Sequence, residues 1–106
     1  MDTIIHKIRL LDINKASDFE RWVETTDYAT CPDLPSVLQF DVHRVSQAPD
    51  ASYHYVEIIK VTSHADFSND MNTDVFAGLV SRFTSMAEVI EEVSGVQLGL
   101  GYRANY

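Results

Sequence analysis

The sequence predicts an α+β fold, a ferredoxin-like βαββαβ arrangement with a four-stranded antiparallel sheet. Two observations lead to this prediction. Four segments are rich in strand-forming residues, and two segments between them carry apolar residues at helical spacing. The simplest packing of this order lays both helices on one face of the sheet. At 106 residues, the chain fits a single domain that spans residues 1–106.

The first strand is predicted over residues 3–11, and a helix follows it. Ser17 and Glu20 have the spacing of a capping box, with Ser17 as the N-cap. The helix should end near Ala29, because the two prolines that follow oppose its continuation. Its apolar stripe comprises Phe19, Trp22, Val23 and Thr26.

The second half of the chain begins with a predicted hairpin. Residues 37–46 and 53–62 read as its strands, and 47–52 form the turn between them. Ser63 is a second N-cap signal, and the helical pattern that follows it is interrupted at 72–74. The apolar stripe beyond the interruption comprises Phe76, Leu79, Val80, Phe83 and Met86.

The segment after the second helix fits either a helix or a strand. Its branched side chains and the following Ser94-Gly95 favour a strand over residues 88–94. A short extended arm from Leu98 to Tyr102 should follow. The acidic residues of the segment are most simply a solvated face (Glu88, Glu91 and Glu92).

Both faces of the predicted sheet carry apolar residues. On the first strand, Ile4 and Ile8 lie on one face while Ile5 lies on the other, so the strand does not alternate cleanly. Helices can cover only one face. We therefore expect the other face to pack against a second copy of the chain in a homodimer.

Composition excludes several function classes. The net charge of −8, without a basic cluster, argues against nucleic-acid or anionic-membrane partners. We expect no transmembrane helix, because there is no long apolar run, and the N-terminus lacks a signal-peptide pattern. The single cysteine cannot form an internal disulfide, so a cytoplasmic location is expected.

The stretch from Trp22 to Val37 concentrates residues that could build a site. It holds the only Trp and the only Cys, with Asp27 and Tyr28 between them. This grouping is typical of a pocket mouth and also of an ordinary helix-to-strand connection. We expect Cys31 to line a pocket rather than act as a nucleophile, because a preceding helix C-terminus raises a thiol pKa. No residues show metal-site spacing, so no metal is predicted.

The histidines and the third strand offer further candidates. A strand histidine such as His6 or His54 is usually a hydrogen-bonded core residue, but inside a cavity it is a ready general base. Tyr55 and Glu57 share one face of their strand and His54 points the other way, so a chamber under the helices sees one set only.

Two interpretations of Glu57 remain open. A partly buried glutamate beside a tyrosine is a candidate acid or base. Alternatively, Lys60 or Arg9 compensates its charge at the dimer interface.

Several motifs resemble those of the RedY-like proteins, a family encoded in prodiginine pigment clusters with relatives in bis-indole pathways. The specific block is D-Y-A-T-C-P at 27–32, followed by L-P-S-V at 34–37. Supporting matches are H-Y-V-E at 54–57, Asp70-Met71, and M-A-E-V at 86–89. The resemblance runs almost end to end.

The resemblance implies a dimeric α/β barrel, the fold of cofactor-independent antibiotic-biosynthesis monooxygenases, and therefore no cofactor. It also implies a planar heteroaromatic ligand between sheet and helices, which suits flat aromatic side chains. It supplies no catalytic residue. The predicted ligand-binding residues are His6, Trp22, Asp27, Tyr28, Cys31, His54, Tyr55 and Glu57.

The leading functional hypothesis is an accessory protein of prodigiosin-type pigment biosynthesis that binds a pyrrolic intermediate of the bipyrrole-aldehyde branch. It would either catalyse a cofactor-free step or protect the intermediate. Two alternatives remain: a cofactor-free monooxygenase, and a non-catalytic scaffold that docks on pathway enzymes.

Overall fold

A computed structural model describes residues 1–105 and confirms the predicted sheet. Four antiparallel strands are arranged in the order β2-β3-β1-β4, as in ferredoxin-like folds. The strands are β1 (Asp2–Leu10), β2 (Val37–Arg44), β3 (Tyr55–Val61) and β4 (Ala87–Val96). The ambiguous segment 88–94 is therefore a strand, as favoured.

The first helical segment is a composite rather than one regular helix. It consists of a 3₁₀ turn (Ile13–Lys15), α1 (Ala16–Trp22), a π-helical turn (Val23–Asp27), α2 (Tyr28–Thr30) and a second 3₁₀ turn (Cys31–Asp33). The prediction of Ser17 as N-cap is wrong, because the chain is already helical before it. The cap is Asp12, whose carboxylate accepts a hydrogen bond from Asn14 N–H at 2.9 Å.

The second helical segment follows the predicted pattern. Ser63 caps α3 (His64–Met71) by accepting a hydrogen bond from Asp66 N–H at 3.0 Å. Thr73 caps α4 (Asp74–Thr84) in the same way. Met86, predicted on the helical stripe, instead lies beyond the end of α4 and is buried in the core. None of the helices within residues 1–105 is long and apolar enough to cross a membrane.

The helices lie on the face of the sheet that carries the even-numbered residues of β1 and the odd-numbered residues of β3. Two hydrophobic clusters fill the space between them. On β1, His6 separates Ile8 of the first cluster from Ile4 of the second. Glu57 does the same on β3. A polar row therefore crosses the covered face of the sheet between two apolar regions.

The opposite face carries charged pairs and partly buried apolar residues. Lys7 pairs with Glu91 at 2.6 Å and Arg9 with Glu88 at 2.5 Å, both across β1 and β4. On the same face, next to the pair of Lys7 and Glu91, Ile5 is paired with Val93, which is 52% exposed. The chain after β4 is not a simple extended arm, because Gly99 and Gly101 adopt φ of 60° and 68°.

Candidate functional site

A cavity of about 660 Å³ lies between the sheet and the helices. This volume is within the range of small-molecule pockets. The sheet contributes the polar row and apolar neighbours, and α4 contributes one side of its apolar stripe. The apolar part of the wall includes Ile4, Trp22, Leu34, Val37, Phe40, Ile59, Phe67, Phe76, Leu79 and Phe83.

His6 lies at the centre of the polar row, between two carboxylates. Its Nδ1 is 2.5 Å from Glu57 Oε1 and its Nε2 is 2.7 Å from Glu92 Oε1. The strand register causes this arrangement, because His6 is paired with Glu57 on β3 and with Glu92 on β4. Carboxylates only accept, so both ring nitrogens donate and the ring is an imidazolium.

The electrostatics of the row support this protonation state. Burial on its own lowers the pKa of His6, but hydrogen bonds and charges from Glu57 and Glu92 outweigh it and raise the pKa above its ordinary value. The hydrogen bonds of the row thus place one imidazolium between two carboxylates, an arrangement with a net negative charge.

Asp27 lies beside this row and behaves differently from its neighbours. It closes the π-helical turn, is buried, and lies on the cavity wall. Burial raises the pKa of Asp27 to about 7, and the nearby charge of Glu57 contributes. A carboxyl group with this pKa can both hold and release a proton near neutral pH, which is the property of a general acid or base.

Cys31 also lies on the wall, one helical turn after Asp27. Its Sγ donates to Asp27 O at 3.5 Å. Burial and the charge of Asp27 raise the pKa of the Cys31 thiol to about 11. The side chain is therefore a neutral thiol at physiological pH, as expected for a lining residue rather than a nucleophile.

Five of the eight predicted ligand-binding residues line the cavity: His6, Trp22, Asp27, Cys31 and Glu57. The other three do not. Tyr28 lines a smaller neighbouring hollow of about 340 Å³, and its hydroxyl accepts a hydrogen bond from Val42 N–H. Tyr55 is buried under α1, where its hydroxyl donates to Glu20 at 2.6 Å.

His54 lies outside the cavity for a structural reason. Its Nδ1 accepts a hydrogen bond from Leu10 N–H at 3.0 Å, and its Nε2 donates to Ala48 O at 2.9 Å. Both nitrogens thus tie the start of β3 to the main chain. The open choice on this strand is settled: Glu57 faces the helices, and its partner is His6 rather than Lys60 or Arg9.

Glu92 and His64 line the cavity but were not among the predicted ligand-binding residues. Glu92 was interpreted as part of a solvated face, yet it contacts His6. A bulge in the pairing of β1 and β4 after Lys7 sets this register, and the sequence carries no clear signal for it. His64 also lines the cavity, and its partner Asp2 is distant in sequence.

Within residues 1–105, no group of three or more His, Cys, Asp or Glu side chains is arranged to hold a metal ion. The polar row is instead satisfied internally by its own hydrogen bonds. The arrangement can accept hydrogen bonds from a ligand and can exchange one proton through Asp27.

A family model described as REDY-like protein HapK matches residues 2–98. The chain belongs to this family. The crystal structure of HapK from Hahella chejuensis is 62% identical, with a TM-score of 0.98, and the match covers 99% of this chain and 100% of that one. Membership of the family supports an accessory role in secondary-metabolite biosynthesis.

More distant structures share the fold. SnoaB, a cofactor-independent oxygenase from Streptomyces nogalater, is 16% identical with a TM-score of 0.66, covering 95% of this chain and 97% of that chain. A putative antibiotic biosynthesis monooxygenase from Chloroflexus aurantiacus is 14% identical with a TM-score of 0.70, covering 96% of each chain. At these identities the likeness concerns the ferredoxin-like fold alone. No curated protein is significantly similar in sequence.

Proposed function

We propose that this protein is an accessory protein of prodigiosin-type pigment biosynthesis that binds a pyrrolic intermediate of the bipyrrole-aldehyde branch in the cavity between sheet and helices. The observation that carries the proposal is the combination of a largely apolar cavity with a net negative polar row. A flat heteroaromatic molecule matches the apolar wall, and its pyrrole N–H groups match carboxylate acceptors.

Asp27 supplies a hydrogen-bonding group for the proposed ligand. A protonated Asp27 is positioned to donate a hydrogen bond to the carbonyl oxygen of an aldehyde, whereas the ionised form accepts one from a pyrrole N–H. Either interaction would hold the intermediate and shield its reactive carbonyl from water. No cofactor is needed for this role.

The test is a titration of the purified protein with a bipyrrole carbaldehyde, followed through Trp22 fluorescence. We expect saturable quenching with one site per chain. In a producing host, deletion of the gene should lower the supply of the bipyrrole. Absence of binding together with unchanged intermediates in the deletion strain would overturn the proposal.

A second candidate is a cofactor-independent monooxygenase, which the pKa of Asp27 specifically favours. The ionised carboxylate would remove a proton from an electron-rich ring. Dioxygen would then convert a ring CH₂ group to a carbonyl, with one oxygen atom retained and the other released as water. Dioxygen consumption by metal-free protein with a pyrrolic substrate distinguishes this candidate from binding alone.

We also propose that the protein acts as a homodimer through the outer face of the sheet. Ile5 and Ile58 are only partly buried there, and Val93 is 52% exposed. Burial of such a face against its copy removes apolar surface from water. Sedimentation at micromolar concentration should give twice the mass of the chain, and a monomer would contradict this assembly.

A further inference from the structure

Asp2 and His64 form a second polar pair at another end of the same cavity. Asp2 and His6 are four residues apart on β1 and lie on the same face, about 13 Å apart along the strand. His64 is the first residue of α3 and is part of the cavity wall. The pair is therefore displaced from the polar row toward the start of β1.

The hydrogen bonds of this pair fix the orientation of the His64 ring. Asp2 Oδ2 accepts from the main-chain N–H of His64 at 2.8 Å and lies 2.7 Å from its Nδ1. These interactions, the main-chain hydrogen bond first, lower the pKa of Asp2, so it remains a carboxylate. A carboxylate can only accept, so Nδ1 of His64 carries a proton, and in the neutral form of the ring Nε2 is free to accept a hydrogen bond.

Nε2 of His64 is buried, and no group within residues 1–105 is its hydrogen-bond partner. A buried polar atom without a partner costs about 1–3 kcal/mol. The other histidine rings with buried nitrogens, His6 and His54, are satisfied on both sides. His64 thus differs from them in carrying one buried ring nitrogen that the protein itself does not use, on a side chain that is 44% exposed as a whole.

The wall between the two polar ends is apolar. Ile4 and Ile59 are paired across β1 and β3, directly between the polar row and Asp2. Phe67 and Phe76 cover them from the helices and meet edge to face, with ring centroids 5.7 Å apart. The cavity wall therefore has polar groups at both ends of an apolar stretch, and this stretch is longer than one five-membered ring.

We propose that His64, held by Asp2, is a second ligand-binding pole that accepts a hydrogen bond from an N–H group of an elongated heteroaromatic ligand whose other end meets the polar row. His64 is the binding residue and Asp2 is a positioning residue. The ligand chemistry rests on the proposed function, which it narrows to molecules with several linked rings and N–H donors.

The test compares His64→Leu with wild type, using a bipyrrole carbaldehyde, a single-ring pyrrole carbaldehyde and a biindole that has the same two N–H donors but no aldehyde. We expect His64→Leu to weaken both two-ring ligands by about tenfold, the equivalent of one lost hydrogen bond. Binding of the single-ring ligand should not change. His64→Gln, whose amide oxygen can reach the position of Nε2, should recover part of the affinity.

His43→Leu is the matched control, because His43 is exposed on the opposite face of β2. It should bind all three ligands as wild type does. A ¹⁵N spectrum of the full chain adds a structural readout, in which ligand binding should move the His64 Nε2 resonance in the direction of an accepted hydrogen bond.

The outcomes separate this inference from the proposed function. Binding of the biindole but not of the bipyrrole would overturn the pyrrolic function and retain the second pole. Unchanged affinity of His64→Leu for both two-ring ligands would overturn the second pole while the proposed function stands. If neither two-ring ligand binds wild-type protein, both are overturned.

Discussion

The two hydrophobic clusters of this protein both consist of aliphatic and aromatic side chains, but they differ in how much of each one borders the cavity. The cluster beneath α1 has a closed centre, in which Ile8 and Phe19 are 0% and 1% exposed, and only its edge reaches the cavity, through Trp22, Leu79, Phe83 and Ala87. In the cluster beneath α3 and α4, almost every member also lines the cavity: Ile4, Val37, Phe40, Ile59, Phe67 and Phe76. One end of the sheet therefore supplies most of the stability, and the other supplies the shape of a binding site.

The division falls on the polar row. His6 and Glu57 interrupt the apolar faces of the two central strands, so the two clusters cannot merge into one core. An apolar pair at these positions would extend the core across the cavity. His6 and Glu57 preserve a polar surface in the interior, and the hydrogen bonds of the row offset the free-energy cost of burying them.

The largest predicted effect follows from removing the Phe19 ring from the cluster beneath α1. Phe19→Ala should lower the free energy of unfolding by about 3–5 kcal/mol, because the ring contacts Trp22, Tyr55 and Phe83 with almost no exposure. Phe76→Ala is the matched variant in the second cluster and should cost clearly less, since its ring borders the cavity. Denaturant titration of both variants measures the contrast, and equal losses would contradict the division.

The next effect concerns Asp27 and the pH dependence of stability. Because the pKa of Asp27 is raised to about 7 from its ordinary value of 3.8, the folded state holds a proton that the unfolded chain releases. The stabilising contribution of Asp27 should therefore be complete below about pH 4 and be lost as pH rises through about 7, by up to about 4 kcal/mol. Asp27→Asn should remove this loss and be more stable than wild type at pH 8.

Asp33→Asn is the control, since it removes a carboxyl group at an exposed position of the same helical segment. Its unfolding free energy should follow wild type across the whole range. If the difference in unfolding free energy between wild type and Asp27→Asn stays constant between pH 4 and 8, Asp27 does not take up a proton on folding, and the prediction is wrong.

Trp22 belongs to both regions. It is 8% exposed, packs beside Phe19 at a centroid distance of 6.2 Å, and also lines the cavity. We expect Trp22→Ala to remain folded and to weaken binding of a bipyrrole aldehyde by about 1–3 kcal/mol, the effect found when an aromatic side chain that stacks on a nucleic-acid base is removed. Calorimetry measures the affinity, because the variant lacks Trp22 and its fluorescence. A thermal melt measures the stability.

The two measurements on Trp22→Ala discriminate between its roles. A folded variant with normal affinity would exclude the cavity wall as its function. A collapse of stability would assign Trp22 to the closed core together with Phe19.

The sequence predicted the elements of the fold better than it predicted the site. Branched residues identified the strands, and Ser63 identified the start of α3, because these signals are local. The first helix was harder, since the 3₁₀ and π turns around α1 displace the start from Ser17 to an earlier position.

Site residues depend on contacts between distant segments, which local patterns do not encode. Glu57 and His54 could not be ranked from sequence, because both faces of the sheet carry apolar residues and the inward face was ambiguous. Glu92 and the pairing of His64 with Asp2 depend on strand register and chain closure over 86 and 62 residues of separation. Asp27 was identified because it lies beside the aromatic and thiol residues in sequence.

The smallest effect tests the outer end of the polar row. Glu92 has a side chain that is 61% exposed, so its interaction with His6 is largely screened by solvent and should contribute less than about 1 kcal/mol. Glu92→Gln should nevertheless lower the pKa of His6, because it removes one of the two carboxylates that raise it. A histidine whose pKa is raised on folding stabilises the protein below its unfolded pKa, and this contribution disappears as pH rises through the folded value. Glu92→Gln should therefore be slightly less stable than wild type at pH 6 and equal to it at pH 9.

Glu91→Gln is the matched control, since Glu91 pairs with Lys7 on the opposite face of the sheet and should leave the His6 titration unchanged. An NMR titration of His6 in the three proteins measures the effect directly. If both variants lower the pKa of His6 equally, that pKa depends on net charge alone. The contact between Glu92 and Nε2 of His6 then has no specific effect.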